Sequence, residues 1–331
     1  MTVPATLDTV AVVGNGLMGH GMAQTFAVAG HRVVMIGRRE ESLAAATNRI
    51  AKSLAAFEAQ GLVTSGEVSA ALGRIRTSIK LEDAADAQLV LEAVPADRSV
   101  QDEVYGRLDE VCAPPAIFAS GSGQPASELV SNVTHRERVV AAHFWYPPQL
   151  IPLVEVCAGP ESDPDVAPWL CDVLRAAGKE PVIVDKEVPG FIGNRLQYAI
   201  LREAWALWAE GAASAEAIDT VVKASIGRRL GITGPIESAD IGGLDTLHAF
   251  GAYLIPHLKT GSQPASAVTE LVDAGHRGLP SGRGVYDWSA RDGAALLKER
   301  EEELFRHLAR DKAERRHLDA TQPGQPPARG G

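Results

Sequence analysis

Short unbroken apolar runs alternate with longer amphipathic stretches through the first half of the chain. Residues 10–13 and 33–36 read as buried strands, with a glycine turn and a helix beginning near Leu17 and ending at Gly30 between them. Residues 40–60 form an Ala-rich helical stretch, apolar at Leu43, Ile50, Leu54 and Phe57, and 65–72 a shorter one. Further strands are expected at 75–79, 88–93, 116–120, 138–142, 151–156 and 181–184. The intervening helices are expected at 99–112, 124–131 and 163–177. Alternation of this kind predicts an α/β protein with a parallel, doubly wound sheet. From Pro189 onward the pattern changes to helix after helix: 191–210, 215–225, 238–258 (less regular around Gly242-Gly243), 265–274 and 292–315. The last has a thin apolar seam of Leu296, Leu297, Leu304 and Leu308, and reads as a solvated or dimer-edge helix. Residues 321–331 lack apolar anchors and read as a mobile tail. The expected division is therefore 1–186, a doubly wound nucleotide-binding domain; 187–290, an all-helical domain; and 291–331, a charged helix and tail.

The first strand runs into Gly14-Asn15-Gly16-Leu17-Met18-Gly19. In the Rossmann dinucleotide fingerprint the first glycine permits the strand-to-helix turn and the second lets backbone approach a pyrophosphate. The third lets the helix pack close on the sheet. The free N–H groups and positive dipole end of the helix then face the phosphates. The six turn residues form the candidate cofactor cradle. An NAD site usually places Asp or Glu at the end of the second strand for the ribose 2′-hydroxyl. This chain has Gly37-Arg38-Arg39 there. Two guanidiniums and no carboxylate suit a 2′-phosphate, so NADP(H) is expected in preference to NAD.

Bulk properties narrow the remaining classes. The chain has 331 residues, 45% of them hydrophobic, enough for a large core and two domains. A formal net charge of −10 argues against a nucleic-acid or anionic-membrane surface. No basic leader or long apolar run is visible, so a cytoplasmic protein is expected. Cys112, Cys157 and Cys171 show no CxxC or metal spacing, and the histidines never pair as HxH or HxxxH, so no metal site is expected.

Ligands of doubly wound sheets bind beyond the C-terminal ends of the strands. That rule makes Glu92-Ala93-Val94, Ser120-Gly121-Ser122 and His143 candidates, with Ala93 and Val94 on the cofactor side. Glu155 follows His143 within HFWYPPQLIPLVEV. A carboxylate on one ring nitrogen would fix a histidine's tautomer and stabilise its charged form. Spacing alone equally allows a core histidine beside an unrelated glutamate.

The segments GNGLMGHGMA, HFWYPPQLIPLVEV, PGFIGNRLQYAI and SGRGVYDW together resemble the 3-hydroxyacyl-CoA dehydrogenase family, in the right order over about residues 8–290. IPLVEV and Asn194 to Trp205 also resemble its gulonate 3-dehydrogenase and lambda-crystallin branch. The resemblance implies an oxidoreductase, as in fatty acid metabolism, that dimerises through its helical domain. It implies a catalytic pair at His143 and Glu155, and a substrate-holding asparagine at Asn194. The family's substrate serine falls on Gly123 counted forward from the strand and on Ser122 counted back from His143; Ser122 supplies the hydroxyl.

Three departures bear on the substrate. Tyr146 stands where the family has asparagine, so it becomes a candidate substrate contact. Ser120-Gly121-Ser122-Gly123-Gln124 replaces the usual strand end. Ala96 and Gln101 stand where a glutamate and a lysine are expected. The leading expectation is NADP(H)-dependent interconversion of a CoA-linked 3-hydroxyacyl compound and its 3-oxo form. A free 3-hydroxy acid of the gulonate type, another C=O or C=N substrate, and a non-catalytic structural role remain alternatives. Arg49 and Lys52 could meet CoA phosphates, although a solvated helix face also explains them.

Overall fold

The computed structural model describes residues 3–321. The tail expected at 321–331 therefore lies, beyond its first residue, outside the described residues. The described chain divides into two compact units, 3–192 with 300–321, and 193–299.

The first unit is built on an eight-stranded sheet. Its strands are β1 (Thr9–Val13), β2 (Arg32–Ile36), β3 (Ile75–Ser78), β4 (Leu89–Glu92), β5 (Ile117–Ser120), β6 (Val139–Phe144), β7 (Leu153–Ala158) and β8 (Glu180–Ile183). They lie in the order β3-β2-β1-β4-β5-β6-β7-β8. The order reverses between β1 and β4, which is where such sheets open a crevice for ligands. Helices α1 (Gly19–Val28), α2 (Glu40–Ala59), α3 (Ser65–Arg74), α4 (Arg98–Val111) and α5 (Val166–Ala176) cover the sheet. Alternate strand residues divide cleanly between the faces. Val10, Val12, Leu89, Leu91, Ala119, Ala142 and Val154 pack with Met22, Phe26, Ile50 and Leu170 of α1, α2 and α5. Ala11, Val13, Val90, Phe118, Ala141 and Cys157 pack on the other face with Tyr105 and Leu108 of α4.

Two sequence expectations for this unit need correction. The sheet is not wholly parallel: β7 runs antiparallel to β6, and β8 runs parallel to β7. The 145–152 connection is too short to carry a crossover back to a parallel neighbour, so the chain must return alongside β6. The helix expected at 124–131 is only a 3₁₀ turn, Ala126–Glu128. Ala126, Leu129, Val130 and Val133 are buried on the α4 face at a spacing a helix would also give, so the apolar pattern alone does not mark the shorter turn.

The second unit contains the body of α6 (Phe191–Ala209), then α7 (Ala215–Ala224), α8 (Ile226–Arg229), α9 (Pro235–Gly242), α10 (Leu244–Leu254) and α11 (Ser266–Asp273). Gly243, at φ 87°, separates α9 from α10 where one irregular helix was expected. Ser214 caps α7 by accepting from the Ala217 N–H at 3.2 Å.

Helix α12 (Gly293–Thr321) reaches further than its charge pattern suggests. From Arg300 on it belongs to the first unit, and there it is not simply solvated. Phe305 and Leu308 are buried against Phe57, Val63 and Leu150. The Phe305 and Phe57 rings meet edge-on at 5.2 Å between centroids.

Candidate active site

The glycine turn has the shape a dinucleotide requires. Gly14 has φ 108°, and a Cβ there would strike the Ala93 carbonyl. A Cβ on Gly19 would strike the Gly14 carbonyl, whereas one on Gly16 would meet nothing within 4 Å. Gly14 and Gly19 therefore permit close backbone packing, and Gly16 leaves open space at the N-terminal end of α1 for a phosphate. Leu17 and Met18 complete the turn, and Leu17 is exposed. His20, buried behind the turn, hydrogen-bonds the Gly16 carbonyl through Nδ1 at 2.7 Å. Burial lowers its pKa, favouring the neutral ring.

Arg38 and Arg39 are exposed just past β2, and Arg39 is the N-cap residue of α2. The Asn15 carboxamide donates to Ser42 Oγ at 3.0 Å, and Ser42 Oγ donates to the Arg39 carbonyl at 2.8 Å. Arg49 donates to the Asn15 carbonyl at 2.8 Å. The turn, the end of β2 and the first turns of α2 thus form one hydrogen-bonded basic corner. Ser42 was missed from sequence because nothing in its local pattern marks a contact to Asn15. The arginine recruited here is Arg49, while Lys52 takes no part in these bonds.

Across the switch point, Ala93 and Val94 follow β4. The Ala93 N–H donates to the Val13 carbonyl at 2.8 Å, and the Val94 N–H to Glu92 Oε1 at 2.7 Å. Glu92 is buried, and its Oε2 accepts from Ser120 Oγ at 2.8 Å. Ser120 Oγ is in turn 2.9 Å from Ser122 Oγ. Gln101 is fully buried on α4 and donates to Gln124 Oε1 at 2.9 Å. The position where a lysine was expected therefore braces the strand end. Gly123 lies beside this chain with no side chain to offer it, and Ala96 lies in the loop leading to α4.

His143 and Glu155 are direct partners in the β6–β7 ladder. His143 Nδ1 lies 2.9 Å from Glu155 Oε2, and both residues are buried. Trp145 Nε1 donates to the same Oε2 at 3.2 Å, and the Ile192 N–H donates to Oε1 at 2.8 Å. An ionised Glu155 can only accept, so it assigns the Nδ1 proton to His143 in the neutral ring, leaving Nε2 as the basic nitrogen. The ring also packs 5.6 Å from Trp145 and 5.9 Å from Phe191. Trp145 and the Ile192 N–H were not legible in sequence, because each reaches Glu155 through the tertiary fold.

By strand alternation Glu92, Ser120, His143 and Glu155 project from the same, α4-facing side of the sheet. They form a polar stripe along four neighbouring strands. Tyr146, 54% exposed, follows the stripe in the 145–152 connection, in a cis peptide bond to Pro147. Lys179, another residue the sequence did not flag, is buried and donates to the carbonyls of Pro148 and Ile151 in that connection. Asn194 lies in the first turn of α6 and belongs to the second unit.

Comparison with known proteins decides the family. Residues 9–188 match the 3-hydroxyacyl-CoA dehydrogenase NAD-binding domain, and residues 190–288 match the C-terminal domain of the same family. The chain belongs to the 3-hydroxyacyl-CoA dehydrogenase family. Among these dehydrogenases it is 33% identical over 300 residues to 5-formyl-3-hydroxy-2-methylpyridine 4-carboxylate 5-dehydrogenase of Mesorhizobium japonicum, covering 90% of this chain and 96% of that one. It is 35% identical over 288 residues to human mitochondrial hydroxyacyl-coenzyme A dehydrogenase, covering 84% and 90%. A crystal structure of a 5-formyl-3-hydroxy-2-methylpyridine 4-carboxylic acid 5-dehydrogenase, described as an NAD⁺-dependent dismutase, superposes with a TM-score of 0.86. It shares 31% identity and covers 93% of this chain and 99% of that one. The protein is accordingly an oxidoreductase with the nicotinamide-dinucleotide domain of the 3-hydroxyacyl-CoA dehydrogenases. None of its described helices is long and apolar enough to cross a membrane.

Proposed function

We propose that the protein is an NADP(H)-dependent oxidoreductase that interconverts a CoA-linked 3-hydroxyacyl compound and its 3-oxo form. The observation carrying this reading is the His143–Glu155 pair, 2.9 Å apart and buried on a sheet whose first turn is a dinucleotide cradle. A bound nicotinamide supplies the hydride acceptor or donor. In oxidation, His143 Nε2 takes the proton of the 3-hydroxyl, and Glu155 steadies the imidazolium through Nδ1. In reduction the same nitrogen returns the proton to the developing alkoxide. Positioned acid–base catalysis of this kind contributes about 10²–10⁴-fold. Asn194 and Ser122 are assigned to the substrate oxygens, and Tyr146 to shaping the pocket. Arg38 and Arg39 are assigned to the 2′-phosphate, with Asn15 and Ser42 bracing the corner they occupy. Stoichiometric oxidation of NADPH with acetoacetyl-CoA tests the reading; turnover with NADH alone overturns its cofactor half.

A second reading replaces the CoA thioester with a free carboxylic acid. Two observations favour it: the pyridine-carboxylate dehydrogenase superposes at a TM-score of 0.86, against 0.72 for a 3-hydroxybutyryl-CoA dehydrogenase, and Tyr146 stands where the family's asparagine is expected. Parallel assays with acetoacetyl-CoA and free oxo acids separate the two. In either case the assembly proposed is a homodimer through the helical unit. Helices α7–α11 contain no buried residue, and Ile232, Ile236 and Ile241 are 79%, 77% and 76% exposed. A monomer mass in sedimentation equilibrium would contradict that assembly.

A further inference from the structure

The proton-transfer scheme above makes no use of Glu92, although this carboxylate is 1% exposed and ends a hydrogen-bonded chain leading to Ser122. The proton count along that chain is restrictive. The Val94 N–H occupies Oε1, so any exchange with the serines runs through Oε2. An ionised Glu92 has no proton to give, and Ser120 must donate to it. Ser120 Oγ can then only accept, and it does so from the Ser122 N–H at 3.2 Å and the Ser122 hydroxyl at 2.9 Å. The Ser122 proton then points inward to Ser120 at 2.9 Å in preference to Gln124 Oε1 at 3.4 Å, leaving its lone pairs for other partners. Protonation of Glu92 on Oε2 reverses the order: Glu92 donates to Ser120, Ser120 donates to Ser122, and the Ser122 proton turns toward a substrate oxygen, with only the longer Gln124 Oε1 contact at 3.4 Å competing for it.

We propose that Glu92 is a positioning residue which, through Ser120, sets whether Ser122 presents an acceptor or a donor to the substrate oxygen. The proposal rests on the reading that Ser122 meets that oxygen. A 3-oxo oxygen is acceptor-only and can be held only by the donor state, whereas a 3-hydroxyl can pair with either state. Glu92 therefore selects for the oxo form of the substrate when it carries a proton. No net proton is consumed along the chain during turnover; Glu92 exchanges with solvent and biases which form binds.

The surroundings make such an exchange accessible. Burial pushes the Glu92 carboxyl up, opposed by Ser120 and Val94 and, less strongly, by Gln101 and Tyr105. Facing it from α4 are the neutral Gln101 and the titratable Tyr105, whose own pKa is raised well above the usual value by burial and by Glu92. Gln101 Oε1 and the Tyr105 hydroxyl are both buried with no partner in normal hydrogen-bond geometry, although both side chains lie near enough to Glu92 to influence its titration. Those two groups also make Glu92→Gln a clean probe. Its oxygen must stay on the Val94 N–H, so its –NH₂ group faces Ser120 and locks the donor state. The second amide hydrogen has Gln101 Oε1 or the Tyr105 hydroxyl close by to accept it.

The experiment has two arms. Infrared pH titration of the cofactor-free protein identifies the Glu92 carboxylic band as the one absent from E92Q and gives its midpoint. Removing a hydroxyl that supports the ionised state raises that midpoint, so S122A is expected to shift it upward; an unmoved midpoint overturns the coupling. Calorimetry without cofactor, at a pH where the band has disappeared, then compares acetoacetyl-CoA with 3-hydroxybutyryl-CoA. E92Q is expected to bind the oxo compound about tenfold more tightly than wild type and the hydroxy compound within about twofold, since one hydrogen bond is gained only by the former. The gain should vanish in the E92Q/S122A double variant. Equal change for both compounds, or no gain, overturns the proposal while an effect of S122A leaves the Ser122 contact standing. No effect of S122A on either compound overturns that contact and the proposal with it. Should neither compound bind any variant, the substrate class fails and the infrared arm alone decides the coupling.

Discussion

His143 and Glu155 occupy facing positions on the only antiparallel strand pair of the sheet, and their side chains meet at 2.9 Å. Glu155 also accepts from Trp145 and from the Ile192 N–H, so one carboxylate fixes the histidine ring and ties β7 to the start of α6. Substituting Glu155→Gln places an –NH₂ group against a donor. The variant is expected to lose about 1–3 kcal/mol of stability for that buried mismatch. It should also lose at least tenfold in kcat, because the histidine tautomer is no longer imposed. Chemical denaturation and steady-state kinetics on one preparation check both. Full activity in E155Q would mean that the pair is only structural.

The basic corner after β2 gives a cofactor prediction. The double variant Arg38→Ala, Arg39→Ala removes the charge-assisted donors proposed for a 2′-phosphate. Fluorescence titration should show NADPH affinity falling by about tenfold or more, with NADH nearly unchanged. A similar loss for both cofactors would place the arginines elsewhere than at the 2′ position.

Lys179 makes stability depend on pH in a defined window. Its ammonium is buried under the 145–152 connection, and burial pulls its pKa down to about 7 from 10.5. Between these values the unfolded chain holds a proton that the folded chain has released. The cost of the buried charge is thus full below about pH 7 and is relieved as pH rises toward about 10.5. Lys179→Met removes this dependence. Melting temperatures from about pH 7 to about pH 9.5 should rise for wild type relative to K179M; parallel curves would contradict the assignment.

Much of this arrangement is visible in the sequence. The glycine turn sits between two apolar runs, and the strand ends Glu92, Ser120 and His143 follow from alternation alone. What the pattern could not give was direction and partnership. A six-residue apolar run such as Leu153–Ala158 looks the same parallel or antiparallel, and only the length of the preceding connection decides. The facing of His143 and Glu155 follows from that decision, so their sequence spacing alone could not establish it. The Glu92–Ser120–Ser122 chain was hidden for a related reason: Glu92 and Ser120 belong to two strands whose register is fixed only by the folded sheet, and Ser122 follows the second of them. Lys179 offered no signal, being a lone cation at the end of a surface helix until the connection folds over it.

The C-terminal helix supplies a stability test. Phe305 is 6% exposed and packs edge-on against Phe57. Truncation by Phe305→Ala removes a buried aromatic and leaves a cavity, at an expected cost of about 3–5 kcal/mol. Denaturant titration followed by tryptophan fluorescence would show it. A loss under about 0.5 kcal/mol would mean that the helix is not docked in solution.

The proposed reaction turns on exchange of the substrate proton by His143. Its most direct test is the single-turnover rate of NADPH oxidation with acetoacetyl-CoA by wild type and His143→Gln, alongside NADPH binding to each. Proton transfer by His143 entails a rate lower by about 10²–10⁴-fold in H143Q with cofactor affinity unchanged. A wild-type rate in H143Q would contradict it.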